Sequence, residues 1–144
     1  MLQRIQSIWL LLASICSFAT LKFPFYMGTD KTGVPSSTLE ATDNFLLIIF
    51  TVAIGVTALL SIFLYKNRAM QIKFIAGSMI LECVLIILYY NYSVQYVEGH
   101  FVLTSIFHLF ILLFLFLAIR GIIRDNKIVR ESNRLRWINY NLNI

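Results

Sequence analysis

FLLIIFTVAIGVTALLSIFLY occupies residues 45–65 and contains no charged side chain. An α-helix of about 20 residues is long enough to cross the roughly 30 Å hydrocarbon layer of a membrane. A strand of a membrane barrel would alternate apolar and polar side chains, and this stretch does not alternate. Because lipid offers no hydrogen-bond partners to the backbone, a helix is the form that satisfies such a stretch. The stretch therefore predicts a transmembrane helix.

Three further apolar stretches give predicted spans at residues 5–21, 45–65, 74–92 and 101–119. Hydrophobic residues make up 59% of the chain and charged residues 13%, whereas soluble domains carry about a quarter charged residues. The predicted fold is all-α, an antiparallel four-helix transmembrane bundle over residues 1–123 with a basic cytoplasmic helical tail over residues 124–144. The first loop contains Pro24, Gly28, Gly33 and Pro35, and we expect it to be irregular.

Along the chain, segments with an excess of basic residues alternate with segments that lack such an excess. The second connection carries Lys66, Arg68 and Lys73 without an acidic residue, and half of the 12 basic residues lie within residues 120–144. Arg4 adds a positive charge near the start of the chain. The positive-inside rule therefore predicts a multi-pass membrane protein with both termini and the second connection in the cytoplasm.

A cleavable signal peptide is the alternative interpretation of the first apolar stretch. Arg4 precedes it, and Ser17, Phe18 and Ala19 resemble a cleavage site. We favour a retained helix, because the apolar stretch continues to Leu21 and contains polar residues at helical spacing.

One face of each predicted span carries small or polar residues, which in membranes usually turn toward neighbouring helices. In chain order they are Gln3, Ser7, Ser14 and Ser17; Thr51, Ala53, Gly55, Thr57 and Ser61; Gln71, Ser78, Glu82 and Tyr89; and Thr104, Ser105 and His108. These faces are predicted to meet inside the bundle.

Glu82 and His108 are the two intramembrane polar candidates for a functional site. A charged carboxylate near the middle of a span costs at least about 2.5–3.5 kcal/mol, so Glu82 should be protonated, paired or next to water. Helical rise places the two residues at depths that differ by roughly 8 Å, so a direct hydrogen bond is not assured and Ser78, Ser105 or a water would bridge them. The functional interpretation is a proton-linked or ion-linked site. The alternatives are a neutral Glu82 hydrogen-bonded within the bundle, which we favour, or an oligomer contact.

The tail carries a basic stripe. If it is helical, the spacing of its basic residues brings most of them to one side. We expect this stripe to anchor the topology and to contact anionic lipid at the cytoplasmic face, and a docking helix for a cytoplasmic protein is the alternative. Nucleic-acid binding is not expected, because the tail lacks interleaved aromatic residues. The predicted membrane-surface residues are Arg4, Arg120, Arg124, Lys127, Arg130, Arg134 and Arg136.

Motifs that would identify a reaction, a metal or a cofactor are absent from the sequence, which contains no C-x-x-C, H-E-x-x-H or Gly-rich phosphate loop. We therefore expect no catalytic residue, no metal and no cofactor. The function that we expect is a non-enzymatic small subunit or scaffold of an envelope complex, with a membrane-protein partner or a homo-oligomer. The alternative is a proton- or ion-coupled transport component that uses Glu82 and His108 as a homo-oligomer.

The two ends of the chain resemble those of a known family. Met1-Leu-Gln-Arg-Ile-Gln6 is followed at once by an apolar helix, and the close contains Arg120 to Asp125, Lys127, Val129-Arg130 and Arg134-Leu135-Arg136. This pattern is similar to domain of unknown function 4293, a family of small bacterial membrane proteins. The resemblance implies a multi-pass protein with four helices in the bacterial cytoplasmic (inner) membrane, and it supplies no assigned activity or site residues. It also suggests that Gln3, Arg4 and Gln6 matter as a group. Our hypothesis is that Gln3 and Gln6 hydrogen-bond near the base of the fourth helix, with Arg4 at the headgroups. The alternative is that Arg4 only sets the topology.

Overall fold

The computed structural model describes residues 2–31 and 37–142. Within these residues the chain is mostly helical and contains four α-helices and a three-stranded sheet. In chain order the elements are α1 Leu2–Ala19, β1 Tyr26–Asp30, β2 Ser37–Leu39, α2 Phe45–Phe63, α3 Arg68–Ser93, β3 Tyr96–Phe101 and α4 Ile106–Leu142.

Three helical segments of the described chain are long and apolar enough to cross a membrane. They are Phe45–Lys66, Arg68–Ser93 and Leu103–Ser132. The apolar part of α1, Ile5–Ala19, is shorter. Asn67 separates the first two segments and begins α3, where its side chain accepts a hydrogen bond from the backbone N–H of Met70 at 3.3 Å. Such a cap satisfies one of the N–H groups that a helix start leaves unpaired.

The helices contact one another in the order α1, α2, α3, α4 and back to α1. The Ser14 hydroxyl of α1 donates to the carbonyl of Gly55 at 3.1 Å, and that of Ser17 donates to the carbonyl of Thr51 at 2.8 Å. Later residues of α1 thus meet earlier residues of α2. Gly55 permits this approach, because a Cβ there would lie 2.9 Å from the ring of Phe18.

The α2–α3 interface uses the other small residues of α2. The hydroxyl groups of Thr57 and Ser78 lie 2.7 Å apart, and the side-chain amide of Gln71 donates to the carbonyl of Ser61 at 2.9 Å. The predicted inner face of α3, which comprises Gln71, Ser78, Glu82 and Tyr89, is buried throughout. For this helix the predicted face is confirmed.

A small sheet corrects the prediction of an irregular first loop and of a purely α-helical fold. Strand β1 lies between β2 and β3 and is antiparallel to both. Gly28 of β1 faces Gly99 of β3, and a Cβ on Gly28 would lie 2.9 Å from the Cα of Gly99. The strands therefore approach closely only because both positions lack a side chain. Gly33 and Pro35, on which the expectation of an irregular loop partly rested, lie outside the described residues.

The predicted starts of the third and fourth spans also differ from the structure. Helix α3 begins at Arg68 rather than at residue 74, and α4 begins at Ile106 rather than at residue 101, because Phe101 belongs to β3. Pairing with β1 holds this part of the chain in an extended form that its hydrophobicity does not reveal. Helix α4 continues without interruption across the predicted boundary between residues 123 and 124. We call the end of the helices that carries the sheet the sheet end and the opposite end the tail end.

Candidate functional site

Glu82 and His108 form a direct pair near the sheet end. The carboxylate atom Oε1 of Glu82 lies 2.7 Å from Nδ1 of His108. Glu82 lies on the buried face of α3, and His108 lies in the first turn of α4. Both residues are buried, with exposed fractions of 0% and 3%. The structure thus joins directly two ionisable groups for which the sequence predicted a bridged contact.

The direct contact between Glu82 and His108 shows that the predicted difference in depth between them is wrong. That prediction assumed that the spans begin at a common level, but α3 extends well past Glu82 while His108 stands at the start of α4. The expected bridge through Ser78 is also wrong, because the Ser78 hydroxyl contacts Thr57 and donates to the carbonyl of Phe74.

A single proton between Glu82 and His108 can occupy two positions. Either a neutral carboxyl group donates to Nδ1, or Nδ1–H of an imidazolium donates to a carboxylate. Both arrangements carry no net charge, which suits a buried location. The second oxygen, Oε2, is buried and has no hydrogen-bond partner within the described residues. The pair therefore retains an acceptor site that a proton or a water can use.

Aromatic rings cover the pair on the side of the sheet. The Phe25 ring stacks on the Tyr89 ring at a centroid distance of 4.4 Å, and the His108 ring lies 5.4 Å from the first and 5.1 Å from the second. Phe25 is fixed by its backbone, whose N–H donates to the carbonyl of Leu39 and whose carbonyl accepts from the N–H of Val102. The sheet therefore positions a hydrophobic cover over the acid–imidazole pair.

A second buried carboxylate lies at the tail end. The side-chain amide of Gln6 donates to Oδ2 of Asp125 at 2.5 Å, which joins α1 to α4. Asp125 is 7% exposed, and its Oδ1 has no hydrogen-bond partner within the described residues. Gly121 lies one turn earlier on α4, and a Cβ there would meet Cγ of Gln6 at 2.9 Å. For Gln6, the hypothesis of a hydrogen bond near the base of the fourth helix is confirmed.

Arg68 and Asn126 extend this cluster to α3. The guanidinium atom Nη1 of Arg68 donates to the side-chain carbonyl of Asn126 at 3.0 Å. Adjacent residues of α4, Asp125 and Asn126, thus contact α1 and α3 respectively. We call Gln6, Asp125, Arg68 and Asn126 the tail-end cluster.

The predicted basic stripe is exposed as far as the structure describes it. Arg120, Arg124, Lys127 and Arg130 all have exposed side chains on α4. Lys127 lies 4.0 Å from Glu131, and an exposed pair of this kind contributes little to stability. The side chains of Gln3, Arg4, Arg134 and Arg136, which were also predicted to matter, lie outside the described residues.

Metal-binding clusters are not found in the part of the chain that the structure describes. There, no three His, Cys, Asp or Glu side chains are grouped as metal ligands. Cys83 follows Glu82 in sequence but is exposed, since neighbours in a helix point in different directions.

Two residues of these sites were not identified from the sequence. These residues are Phe25, which covers the Glu82–His108 pair, and Asp125, which contacts Gln6. Asp125 follows Gly121 and Ile122 at helical spacing on a buried face of α4, which is the signal that could have identified it. Nothing in the sequence near Phe25 indicates that it covers residues of α3 and α4.

The profile of a protein family described as Domain of unknown function (DUF4293) matches residues 2–135. The match covers nearly the whole chain, and the protein belongs to this family. The resemblance inferred from the two ends of the sequence is therefore confirmed. No curated protein and no solved structure matches the chain.

Proposed function

We propose that the protein is a multi-pass protein of the bacterial cytoplasmic membrane, with four antiparallel spans and both termini in the cytoplasm. The exteriors of the helices support this proposal, because large apolar side chains are exposed on each of them. Examples are Ile8, Leu60, Ile80, Ile87 and Leu109, which are between 47% and 67% exposed. A soluble monomer rarely exposes so much contiguous apolar surface.

The first helix belongs to this arrangement even though its apolar part is short. Helix α1 packs against both α2 and α4. Trp9 stacks on Phe114 of α4 with ring centroids 5.7 Å apart, and Phe23, which follows α1 in the chain, lies beside Phe107 of α4 at 5.9 Å. These contacts keep α1 alongside the two longer apolar helices for most of its length, so it shares their surroundings.

We propose further that the protein acts as a non-enzymatic small subunit or scaffold of an envelope complex. One observation carries this proposal: polar side chains within the spans bond to neighbouring helices. Ser14 and Ser17 bond to carbonyls of α2, and Gln71 bonds to Ser61. Hydrogen bonds of this type contribute on average about 0.6 kcal/mol each in membrane proteins. They fix the helices and leave apolar outer faces for lipid, for a membrane-protein partner or for further copies of the chain.

Reporter fusions test the membrane arrangement. Fusions after Asn67 and at the C-terminus are expected to report a cytoplasmic location, and a fusion after Gly33 an external one. A cytoplasmic Gly33 fusion would contradict the arrangement. The exposed basic residues of α4 would then not face the anionic cytoplasmic lipid that we propose as their partner.

Purification from native membranes tests the subunit proposal. The C-terminally tagged chain is isolated in mild detergent, and its mass and co-purifying proteins are measured. We expect a reproducible stoichiometric membrane-protein partner. Recovery of the chain only as a monomer, under conditions that preserve known membrane complexes, would contradict the proposal.

A proton-coupled transport component is the second candidate function. The observation that favours it is the buried Glu82–His108 pair, in which one carboxylate oxygen has no partner among the described residues. Glu82→Gln keeps the size of the side chain and its capacity to hydrogen-bond with His108, but it removes the titratable carboxyl group. In proteoliposomes with an imposed pH gradient, proton flux through the unsubstituted chain that is lost in Glu82→Gln would support transport. Equal flux in both would exclude it.

A further inference from the structure

A cavity of about 460 Å³ lies at the tail end between α1, the end of α2 and the start of α3. Its wall combines two kinds of residue. Gln6, Arg68 and Gln71 are polar, whereas Ile8, Ile62 and Phe63 are apolar. The volume falls within the range of roughly 300–1,000 Å³ that is usual for binding sites of small molecules. An occupant must therefore have one polar part and one apolar part.

The polar part of the wall is positively charged. Arg68 is half-buried, and its contact with Asn126 orients the guanidinium while using one of its five N–H donors. A guanidinium group matches the geometry of phosphate better than a lysine does, because its donors form a rigid planar fork. The carboxylate of Asp125 contacts Gln6 but does not line the cavity. The site therefore favours an anion.

The apolar part of the wall opens toward the outer surface of the helices. Ile8 is 54% exposed and Phe63 is 75% exposed. In the membrane arrangement proposed above, these side chains contact acyl chains, whereas Arg68 lies at the level of the cytoplasmic headgroups beside Lys66. The change from cationic to apolar along one wall matches the change from phosphate to acyl chain in a phospholipid.

We propose that this cavity binds the headgroup and the first acyl-chain segment of one anionic phospholipid of the cytoplasmic leaflet, with Arg68 as the phosphate ligand. This inference rests on the proposed membrane arrangement and is more specific than a diffuse attraction of lipid to the basic tail. It predicts a saturable site that depends on a residue of α3, not on the exposed basic residues of α4.

The experiment measures thermal unfolding of the purified full chain in neutral detergent as phosphatidylglycerol is added. Phosphatidylcholine and inorganic phosphate are added in parallel. We expect phosphatidylglycerol to raise Tm in a saturable manner, and the other two to have much smaller effects. In Arg68→Gln the apparent affinity should fall by about tenfold, the equivalent of about 1.4 kcal/mol from one charge-assisted contact.

Three variants separate the cavity from other causes. Asn126→Ala removes the hydrogen-bond partner of Arg68 but keeps its charge, so it should retain much of the response even if the chain is less stable. Lys127→Gln removes one exposed positive charge from α4 and should respond as the unsubstituted chain does. Ile8→Trp narrows the apolar part of the cavity and should weaken the response without changing the charge.

Three results would overturn the proposal. They are the absence of a saturable response to phosphatidylglycerol, an equal response of Arg68→Gln and the unsubstituted chain, and an equal response to inorganic phosphate and phosphatidylglycerol. The Asn67 reporter fusion distinguishes a failure of the cavity from a failure of the membrane arrangement. If Asn67 is cytoplasmic and the lipid response is absent, only the cavity proposal is wrong. If Asn67 is external, the arrangement on which it rests is wrong.

Discussion

The sheet end and the tail end of this protein each bury one carboxylate, but the two carboxylates have different hydrogen-bond partners. Glu82 at the sheet end contacts the imidazole of His108, whereas Asp125 at the tail end contacts the amide of Gln6. In both cases one carboxylate oxygen is hydrogen-bonded and the other has no partner within the described residues. An imidazole can exchange a proton with its carboxylate, but an amide cannot.

This difference indicates separate roles for the two sites. The sheet-end pair can stay neutral overall by moving a proton between its two members, and a cover of aromatic rings shields it. The tail-end carboxylate belongs to the tail-end cluster, whose contacts join α1 and α3 to α4 beside a cationic cavity. The sheet end is therefore the candidate for proton chemistry, and the tail end is the candidate for assembly and lipid recognition.

The largest effect is expected from breaking the sheet-end pair. Glu82→Leu leaves the buried His108 without its partner, and the loss of one member of a buried pair costs about 3–5 kcal/mol. Replacing both Glu82 and His108 with Leu should recover a substantial part of this loss, because no polar group is then left unpaired. Thermal unfolding in detergent measures Glu82→Leu, His108→Leu and the double variant.

The neighbouring exposed cysteine provides the matched control for this cycle. Cys83→Ala should change the unfolding temperature little, because the side chain lies outside the core. If the double variant were as unstable as the sum of the two single variants, the hydrogen bond between Glu82 and His108 would not be important for stability.

A smaller effect is expected at the tail end. Asp125→Ala removes the acceptor for Gln6, and the loss of a hydrogen bond to a charged group costs about 1.5–3 kcal/mol. Asp125→Asn keeps a carbonyl acceptor for the Gln6 amide and should lose less. Unfolding of the two variants measures the difference. Equal losses would mean that the charge of Asp125 matters more than its contact with Gln6.

The smallest expected effect is a difference in stability between alanine substitutions at two glycines. A Cβ on Gly121 would press against Gln6, whereas one on Gly77 would meet no other described atom within 4 Å. Gly77→Ala should be neutral or stabilise its helix by about 0.5–1 kcal/mol, and Gly121→Ala should be less stable than Gly77→Ala by about 1 kcal/mol. Adding Gln6→Ala should remove most of this difference. If it persists, the space at Gly121 serves a contact other than the one with Gln6.

The sequence by itself determined the helical character and the approximate positions of the four helices, because a long, mainly apolar stretch can satisfy its backbone hydrogen bonds within itself as a helix. It also determined the family, and the buried face of α3 through the helical spacing of Gln71, Ser78, Glu82 and Tyr89. These properties depend on local composition and on the regular geometry of one helix, both of which can be derived from neighbouring residues.

Only the tertiary structure decided which residues from distant parts of the chain meet. The sheet pairs residues 26–30 with residues 96–101, and no local pattern specifies that partner. The Glu82–His108 contact depends on helix ends that are not level, so counting residues from the span limits placed the two groups apart. Asp125 likewise contacts Gln6, which lies near the opposite end of the chain. Hydrophobic patterns predict which face of a helix is buried, but only the packing of the helices determines which side chains contact one another there.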